Sequence, residues 1–230
     1  MNMLIQKGAE ANLYLEDWYG RKVIIKCRLP KAYRIPELDT VIRTQRTLHE
    51  PQLIHRAKEA GVPTPTIFMI DMVDTKMIME YVEGKQVKQV LNNLSPSERL
   101  RLCHHIGVLI GRLHNAGIIH GDLTTSNMIL TSSGKVFFVD FGLGEFSTEL
   151  EIRGVDLHLM KRALQSTHYK YAKECFEAVT EGYAEVVGKE NTVNVLEKIR
   201  EIEKRGRYIA ERKEEGDSQA RISDGRWPVY

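Results

Sequence analysis

Residues 118–142 read Ile-Ile-His-Gly-Asp-Leu-Thr-Thr-Ser-Asn-Met-Ile-Leu, then Thr-Ser-Ser-Gly, then Lys-Val-Phe-Phe-Val-Asp-Phe-Gly. Met128–Leu130 and Val136–Val139 are short apolar runs around a Ser-Ser-Gly turn, which is the pattern of a β-hairpin. Asn127 precedes the first strand and Asp140 follows the second, so antiparallel pairing at ~4.8 Å brings them together. Asp122 lies in the loop that feeds the same end. One amide oxygen and two carboxylates converging there make a hard-oxygen site suited to magnesium, which keeps water and phosphate in its remaining positions.

His120-Gly121-Asp122 with Asn127 resembles the catalytic loop of kinases, and Asp140-Phe141-Gly142 resembles their metal-binding loop. Each tripeptide alone carries little information. In this order, with a hairpin between them, they imply a two-lobed, protein-kinase-like α+β fold, with a small N-terminal β-sheet lobe and a mainly helical C-terminal lobe. The expected division is residues 1–82, residues 83–213 and a tail over 214–230.

Bulk properties agree with a folded chain. Its 230 residues are 42% hydrophobic and 28% charged, with a net charge of +2 that by itself implies no partner. No apolar run approaches the ~20 residues that span a bilayer, and Met1–Glu10 lacks a secretory core, so a cytoplasmic protein without membrane contact is expected. Cys27, Cys103 and Cys175 are widely spaced among apolar residues and read as buried thiols.

Toward the N-terminus, Met3–Ile5 and Leu13–Leu15 read as strands around Lys7-Gly8-Ala9-Glu10-Ala11, and Lys22–Cys27 follows after a Tyr19-Gly20 turn. Gly8 alone would be an ordinary hairpin turn. Ahead of Val23-Ile24-Ile25-Lys26 it becomes a candidate nucleotide loop, with Ile5 and Leu13 on either side of the adenine and Gly8 near the phosphates. By the kinase pattern Lys26 holds the α- and β-phosphates of ATP, and a glutamate from the next helix pairs with it. That helix is expected from Thr40 to Ala60, beyond an insert whose Pro30 and Pro36 exclude regular structure. Glu50 is the candidate partner of Lys26 and Glu37 the fallback. Pro51 directly follows Glu50, so a kink or fresh start is expected there, with Arg46 as a local partner for Glu50.

Ile67–Ile70 and Lys76–Met79 read as two further strands leading into Glu80-Tyr81-Val82-Glu83-Gly84. In a kinase this segment joins the lobes, and the Glu80 carbonyl and Val82 amide would meet the adenine. Ser95-Pro96-Ser97-Glu98 is a capping box opening a helix to His114, with Cys103, Ile106, Leu109, Ile110 and Leu113 buried. His120 is read as a packing residue without a proton-transfer role. Beyond Gly142 no Ala-Pro-Glu follows, and Gly121 replaces the arginine that commonly precedes the catalytic aspartate. A peptide-docking segment and its control by an arginine–phosphate pair are therefore not expected. Asp156, opening the next helix, reads as a buried acceptor for the catalytic-loop backbone. Ala163–Gly188 and Val193–Arg212 read as helices, and the chain from Gly216 as an aperiodic tail.

Lys7-Gly-Ala-Glu-Ala11, the Tyr33–Asp39 insert, Arg43 and Arg46 before Glu50, Ala60-Gly-Val-Pro-Thr-Pro65, the His120–Asn127 loop and Arg205-Gly-Arg207 occur together. This set resembles the small atypical serine/threonine kinase of the KEOPS complex, the PRPK-like family, in its minimal archaeal form, over about Met1 to Lys213. Pro51 and the extension after Arg212 depart from it. The resemblance implies a kinase that phosphorylates itself and acts as an ATPase, with ATP and magnesium or manganese as cofactors. It also implies, as partners, the subunit that transfers a threonylcarbamoyl group to a tRNA adenosine and other KEOPS subunits. Asp122 would orient and deprotonate the acceptor, and Asn127 and Asp140 would hold the metal. From Lys198 to Lys213 seven basic residues face three acidic ones. A solvated face and a contact with tRNA or acidic protein both fit that bias. Two rival functions remain open at this level: a small-molecule kinase of the aminoglycoside or choline type, and a tRNA- or partner-binding scaffold with little catalysis.

Overall fold

The computed structural model describes residues 3–8 and 10–205. β1 (Met3–Lys7), β2 (Asn12–Trp18) and β3 (Arg21–Cys27) form an antiparallel meander. Its second turn, Tyr19-Gly20, has two positive φ angles, 53° and 76°, the backbone that matches strand twist in a two-residue hairpin. Helix α1 (Pro36–Glu59) follows, and then β4 (Ile67–Asp71) and β5 (Lys76–Glu80) complete the sheet in the order β1-β2-β3-β5-β4.

Two expectations for α1 are corrected. The insert does not stay irregular to Asp39: Pro36 takes the first helical position, where its missing N–H costs nothing, and Ile35 is the extended residue before it. Nor does the helix restart at Pro51. An interior proline costs about 3 kcal/mol. Leu53 and Ile54, exposed by only 0% and 2%, offset this by roughly 1.5–3 kcal/mol each through burial. Glu50, the residue proline disfavours in a helix, is drawn inward by Lys26 and Arg28 and stays helical.

After Tyr81–Gly84 the chain becomes mainly helical. β6 (Lys85–Gln86) and α2 (Val87–Val90) lead to α3 (Pro96–Asn115), which starts with the expected capping box and buries Cys103, Ile106, Leu109, Ile110 and Leu113. β7 (Ile118–Ile119) precedes the catalytic loop. The expected hairpin is β8 (Met128–Leu130) and β9 (Val136–Phe138), with β6 as its third strand. β10 (Glu145–Phe146) then pairs antiparallel with β7.

The helices after β10 divide differently from the sequence reading. α4 runs Leu150–Thr167 and α5 runs Ala172–Val187, with a break where one continuous helix from Ala163 is expected. His168 explains the break: it is buried, and its ring nitrogens meet Thr125 Oγ1 at 3.1 Å and Asn92 Oδ1 at 2.7 Å. The Ser166 hydroxyl also donates to the Ala163 carbonyl, competing with the helical pattern. Asp156 consequently lies in the second turn of α4 and not at its opening. The last helix, α6, occupies 189–205, four residues earlier in its start than Val193. Its expected end at Arg212, the basic residues Arg207, Arg212 and Lys213 and the tail from Gly216 lie outside the described residues.

α3 and α5 cross so closely that a Cβ on Gly107 would meet the Val179 carbonyl oxygen at 1.9 Å. One on Gly182 would meet that of His104 at 2.0 Å. Only glycine permits that approach, and the crossing is the centre of the helical lobe.

Candidate active site

β3 alternates its side chains, so Lys26 and Arg28 leave the same face of the sheet and meet α1. Lys26 Nζ lies 2.7 Å from Glu50 Oε1 and 2.6 Å from Asp140 Oδ1. Arg28 binds the other oxygen of Glu50, so one buried carboxylate faces two cations. Burial works against the charge on Lys26, but the Glu50 and Asp140 carboxylates outweigh it and hold its pKa above the ordinary lysine value. Burial likewise opposes the Asp140 charge, and Lys26 reverses the sign, keeping that carboxyl below its usual range. Glu37 is exposed and Arg46 does not pair with Glu50; it pairs with Glu10 at 2.6 Å.

The hairpin closes as its sequence predicts, with Val139 N donating to the Asn127 carbonyl at 3.0 Å. Asp140 then turns with φ 63°, a left-handed backbone that costs a non-glycine residue about 1–3 kcal/mol. Asn127 Nδ2 donates to the Asp122 carbonyl at 2.9 Å and to Asp122 Oδ2 at 2.8 Å. With its amide nitrogen so committed, Asn127 keeps Oδ1 as a hard acceptor beside the Asp140 carboxylate. This donor set suits a small divalent cation shared with phosphate.

The loop is braced from below. Asp156, fully buried, accepts from His120 N at 2.9 Å and Gly121 N at 3.0 Å, which is the backbone role its sequence suggests. It also meets His114 Nε2 at 3.2 Å, and the Tyr183 hydroxyl lies within hydrogen-bond distance of His114 Nδ1, at 2.9 Å. Burial raises the pKa of Asp156, but the hydrogen bond from His114 and the neighbouring amides bring it below the usual carboxylate value. His120 packs its ring 4.5 Å from that of Phe141. Its Nδ1 accepts from Asp122 N at 3.3 Å and its Nε2 donates to the Val139 carbonyl at 3.2 Å, which fixes a neutral tautomer. Burial also lowers its pKa.

Gly121 has a steric reason. Its φ is 77°, and a Cβ there would sit 2.0 Å from the Leu143 carbonyl oxygen. The short segment after Gly142 turns back at once to pair β10 with β7, and its backbone occupies the space an arginine side chain would need.

Lys26, Asp122, Asn127 and Asp140 open onto a cleft of about 450 Å³ between the sheet and the helical lobe. Of the residues singled out in the sequence, Gly8, Glu10, Ala11, Leu13, Lys26, Asp122, Asn127 and Asp140 line it. Glu50 stands behind Lys26. Ile5 and Lys7 lie on the exposed edge strand β1 and do not line the cleft, nor do Glu80 and Val82. The Glu80 side chain accepts from Thr66 N at 2.9 Å, which leaves its backbone carbonyl uninvolved in that contact. Ala9 lies outside the described residues. Arg28, Arg46, Lys88, Thr124 and Ser126 also line the cleft and were not anticipated. The period-two alternation of β3 could have found Arg28 from Lys26; Lys88 and Arg46 carry no such signal.

The protein kinase domain family matches residues 8–175 of this chain. Over 211 residues the chain is 51% identical to the KEOPS complex subunit Bud32 of Pyrococcus abyssi, covering 89% of this chain and 96% of that protein. This chain belongs to the Bud32 family of protein kinases. A second relative, a probable bifunctional tRNA threonylcarbamoyladenosine biosynthesis protein of Methanothermobacter thermautotrophicus, is 50% identical over 205 residues. The match covers 89% of this chain but 36% of that longer protein. Among solved structures, the Rio2 kinase of Chaetomium thermophilum superposes with a TM-score of 0.58 over 86% of this chain and 71% of that one. At 18% identity it speaks for the two-lobed kinase fold alone. Among the described residues no helix is long and apolar enough to cross a membrane.

Proposed function

We propose that this Bud32-family chain is an ATP-dependent serine/threonine kinase that phosphorylates itself, and an ATPase, working within a KEOPS-type assembly on threonylcarbamoyl modification of tRNA adenosine. The observation that carries this reading is Lys26, held between Glu50 and Asp140 in the wall of the cleft that Asp122 and Asn127 also line. Phosphoryl transfer asks for positioning and charge neutralisation more than covalent help. Lys26 binds the α- and β-phosphates; the nucleotide loop around Gly8 lies over them. Leu13 lines the cleft and packs against the adenine on one side; we place the rest of the base beyond the lined cleft, where Ile5 would stand at its edge and the linker backbone at Glu80 and Val82 would take its hydrogen bonds. Asn127 and Asp140 hold magnesium, or manganese, which supplies charge neutralisation at the phosphates when bound. Asp122, fixed by Asn127 and by its own amide on His120, orients the acceptor oxygen and takes its proton.

The names of the relatives support the partnership: one is a KEOPS complex subunit, and the other is a longer, probable bifunctional tRNA threonylcarbamoyladenosine biosynthesis protein of which this chain matches 36%. The transferase subunit of that modification is the partner we infer, with tRNA meeting the basic C-terminal run and the whole acting in the cytoplasm. ATP turnover and self-phosphorylation measured on the unaltered chain, Asp122→Ala and Asp140→Ala test the chemistry. Each substitution is expected to lower turnover by about 100-fold or more. Near-normal turnover in either variant sinks the assignment. Phosphorylation of small alcohols with none of protein would favour the small-molecule kinase.

A further inference from the structure

Arg46 stands one turn before Glu50 on α1, so the two share a face of the helix and Arg46 reaches the cleft. Its NH1 donates to Glu10 Oε2 at 2.6 Å, while Arg34 NH2 lies 3.6 Å from Glu10 Oε1. Arg34 also approaches Asp39 at 3.4 Å, and Asp39 accepts from Arg43 Nε at 2.7 Å. A chain of ion pairs therefore ties the nucleotide loop to the insert and to α1.

The members of that chain are not equally fixed. Asp39 is only 2% exposed, whereas the Glu10 and Arg46 side chains are 42% and 32% exposed, facing the cleft. An exposed pair of this kind contributes little stability and exchanges partners readily. The guanidinium fork matches a phosphate as well as it matches a carboxylate. Its position also matters. Four residues along a helix advance ~6 Å, so Arg46 lies about that far from the residue that anchors Lys26, toward the tip of the nucleotide loop.

Charge points the same way. Lys26, Arg28, Arg46 and Lys88 line or back the cleft against Glu10, Glu50, Asp122 and Asp140. Lys26 and Arg28 keep the buried Glu50 as a shared partner when a polyphosphate arrives. Arg46 is the cleft cation paired with a carboxylate exposed enough to leave for solvent.

We propose that Arg46 binds the terminal phosphate of ATP and that Glu10 competes with that phosphate for it, acting as a tethered anion. This rests on the reading of the cleft as an ATP site. Arriving γ-phosphate takes the guanidinium, Glu10 is released, and the nucleotide loop exchanges its tie to α1 for a tie to the nucleotide. ADP leaves the Glu10–Arg46 pair in place. The chain thereby distinguishes the two nucleotides through a residue of α1, and the loss of γ-phosphate restores the original contact.

Equilibrium binding of MgATP and of MgADP to the full chain tests this by titration calorimetry. Arg46→Gln should weaken MgATP about tenfold while moving MgADP less than about twofold. Glu10→Gln removes the competing charge and should tighten MgATP about threefold, leaving MgADP unchanged. Equal losses for both nucleotides in Arg46→Gln, or no change, overturn the proposal. So does weaker MgATP binding in Glu10→Gln, which would make Glu10 a brace for the loop. Should Arg46→Gln fail to fold, as judged by thermal melting, the Glu10→Gln arm decides alone. An unaltered chain that binds neither nucleotide brings down the ATP-site reading itself, a result distinct from binding both without the expected preference.

Discussion

Glu50 in the sheet lobe and Asp156 in the helical lobe are both buried carboxylates, at 1% and 0% exposure, yet they meet different donors. Glu50 faces the charged ends of Lys26 and Arg28. Asp156 faces two backbone amides and a histidine. A side-chain cation can change partners, as Lys26 does by touching Asp140 as well. A backbone amide is fixed in place by the chain and cannot swing to another acceptor as a long side chain can. The sheet-lobe cluster can therefore exchange partners with an incoming group, whereas the helical-lobe cluster is the fixed mount of the 120–122 loop.

That contrast can be broken by substitution. The largest effect is expected from Asp156→Ala, which orphans His120 N and Gly121 N at roughly 1–3 kcal/mol each and strips His114 of its acceptor. A loss of about 4 kcal/mol in urea unfolding is expected, and turnover should fall with it because the loop loses its mount. A small stability change here would show that the loop is held by other contacts. Glu50→Ala comes next, at about 3 kcal/mol, because two buried cations lose their shared anion. Lys26→Met should separate the two clusters: Glu50 keeps Arg28, so the cost in stability is below that of Glu50→Ala, while turnover is lost. If Lys26→Met retained turnover, the sheet-lobe cluster would be scaffold too.

The smallest effect is a pH dependence. His120 is buried and its pKa lies below 6.5, so the folded chain binds fewer protons there than the unfolded chain. Stability from this group is complete above the unfolded value and is lost as pH falls below it toward the lowered folded value. His105, His158 and His168, also lowered chiefly by burial, act in the same direction. Asp156, lowered for the folded state, adds a separate loss below the ordinary carboxylate pKa. Denaturant midpoints measured from pH 7.5 to 5 should decline, and His120→Asn should make that decline shallower. An unchanged slope in His120→Asn would mean that the other histidines carry it.

Much of the site was written in local sequence. Asn127, Asp140 and Asp122 stand at one end of a hairpin whose register follows from two apolar runs and a turn, so short-range rules suffice to gather them. Gly8, Ala11 and Leu13 belong to a similar local unit. The capping box of α3 was legible because Ser95 and Glu98 meet within one turn. What escaped was set by distant partners. Arg46 finds Glu10, 36 residues away, and not the nearby Glu50. Glu149 begins α4 without a side-chain cap, so no residue advertised that start. His168 ends α4 because of Thr125 and Asn92, neither of them its neighbour in the chain.

The sequence by itself determined the hairpin, the strand carrying Lys26, the Ser95 cap and, through their order, the kinase family. Each rests on periodicity, turn chemistry or spacing, which act over a few residues. Tertiary structure decided that α1 runs through Pro51, that Glu50 and not Glu37 meets Lys26, and that Gly121 must be glycine. In each case burial or a long-range contact outweighs the local preference: apolar residues beyond Pro51 are packed away, two cations capture Glu50, and the Leu143 backbone fills the space where a side chain would stand.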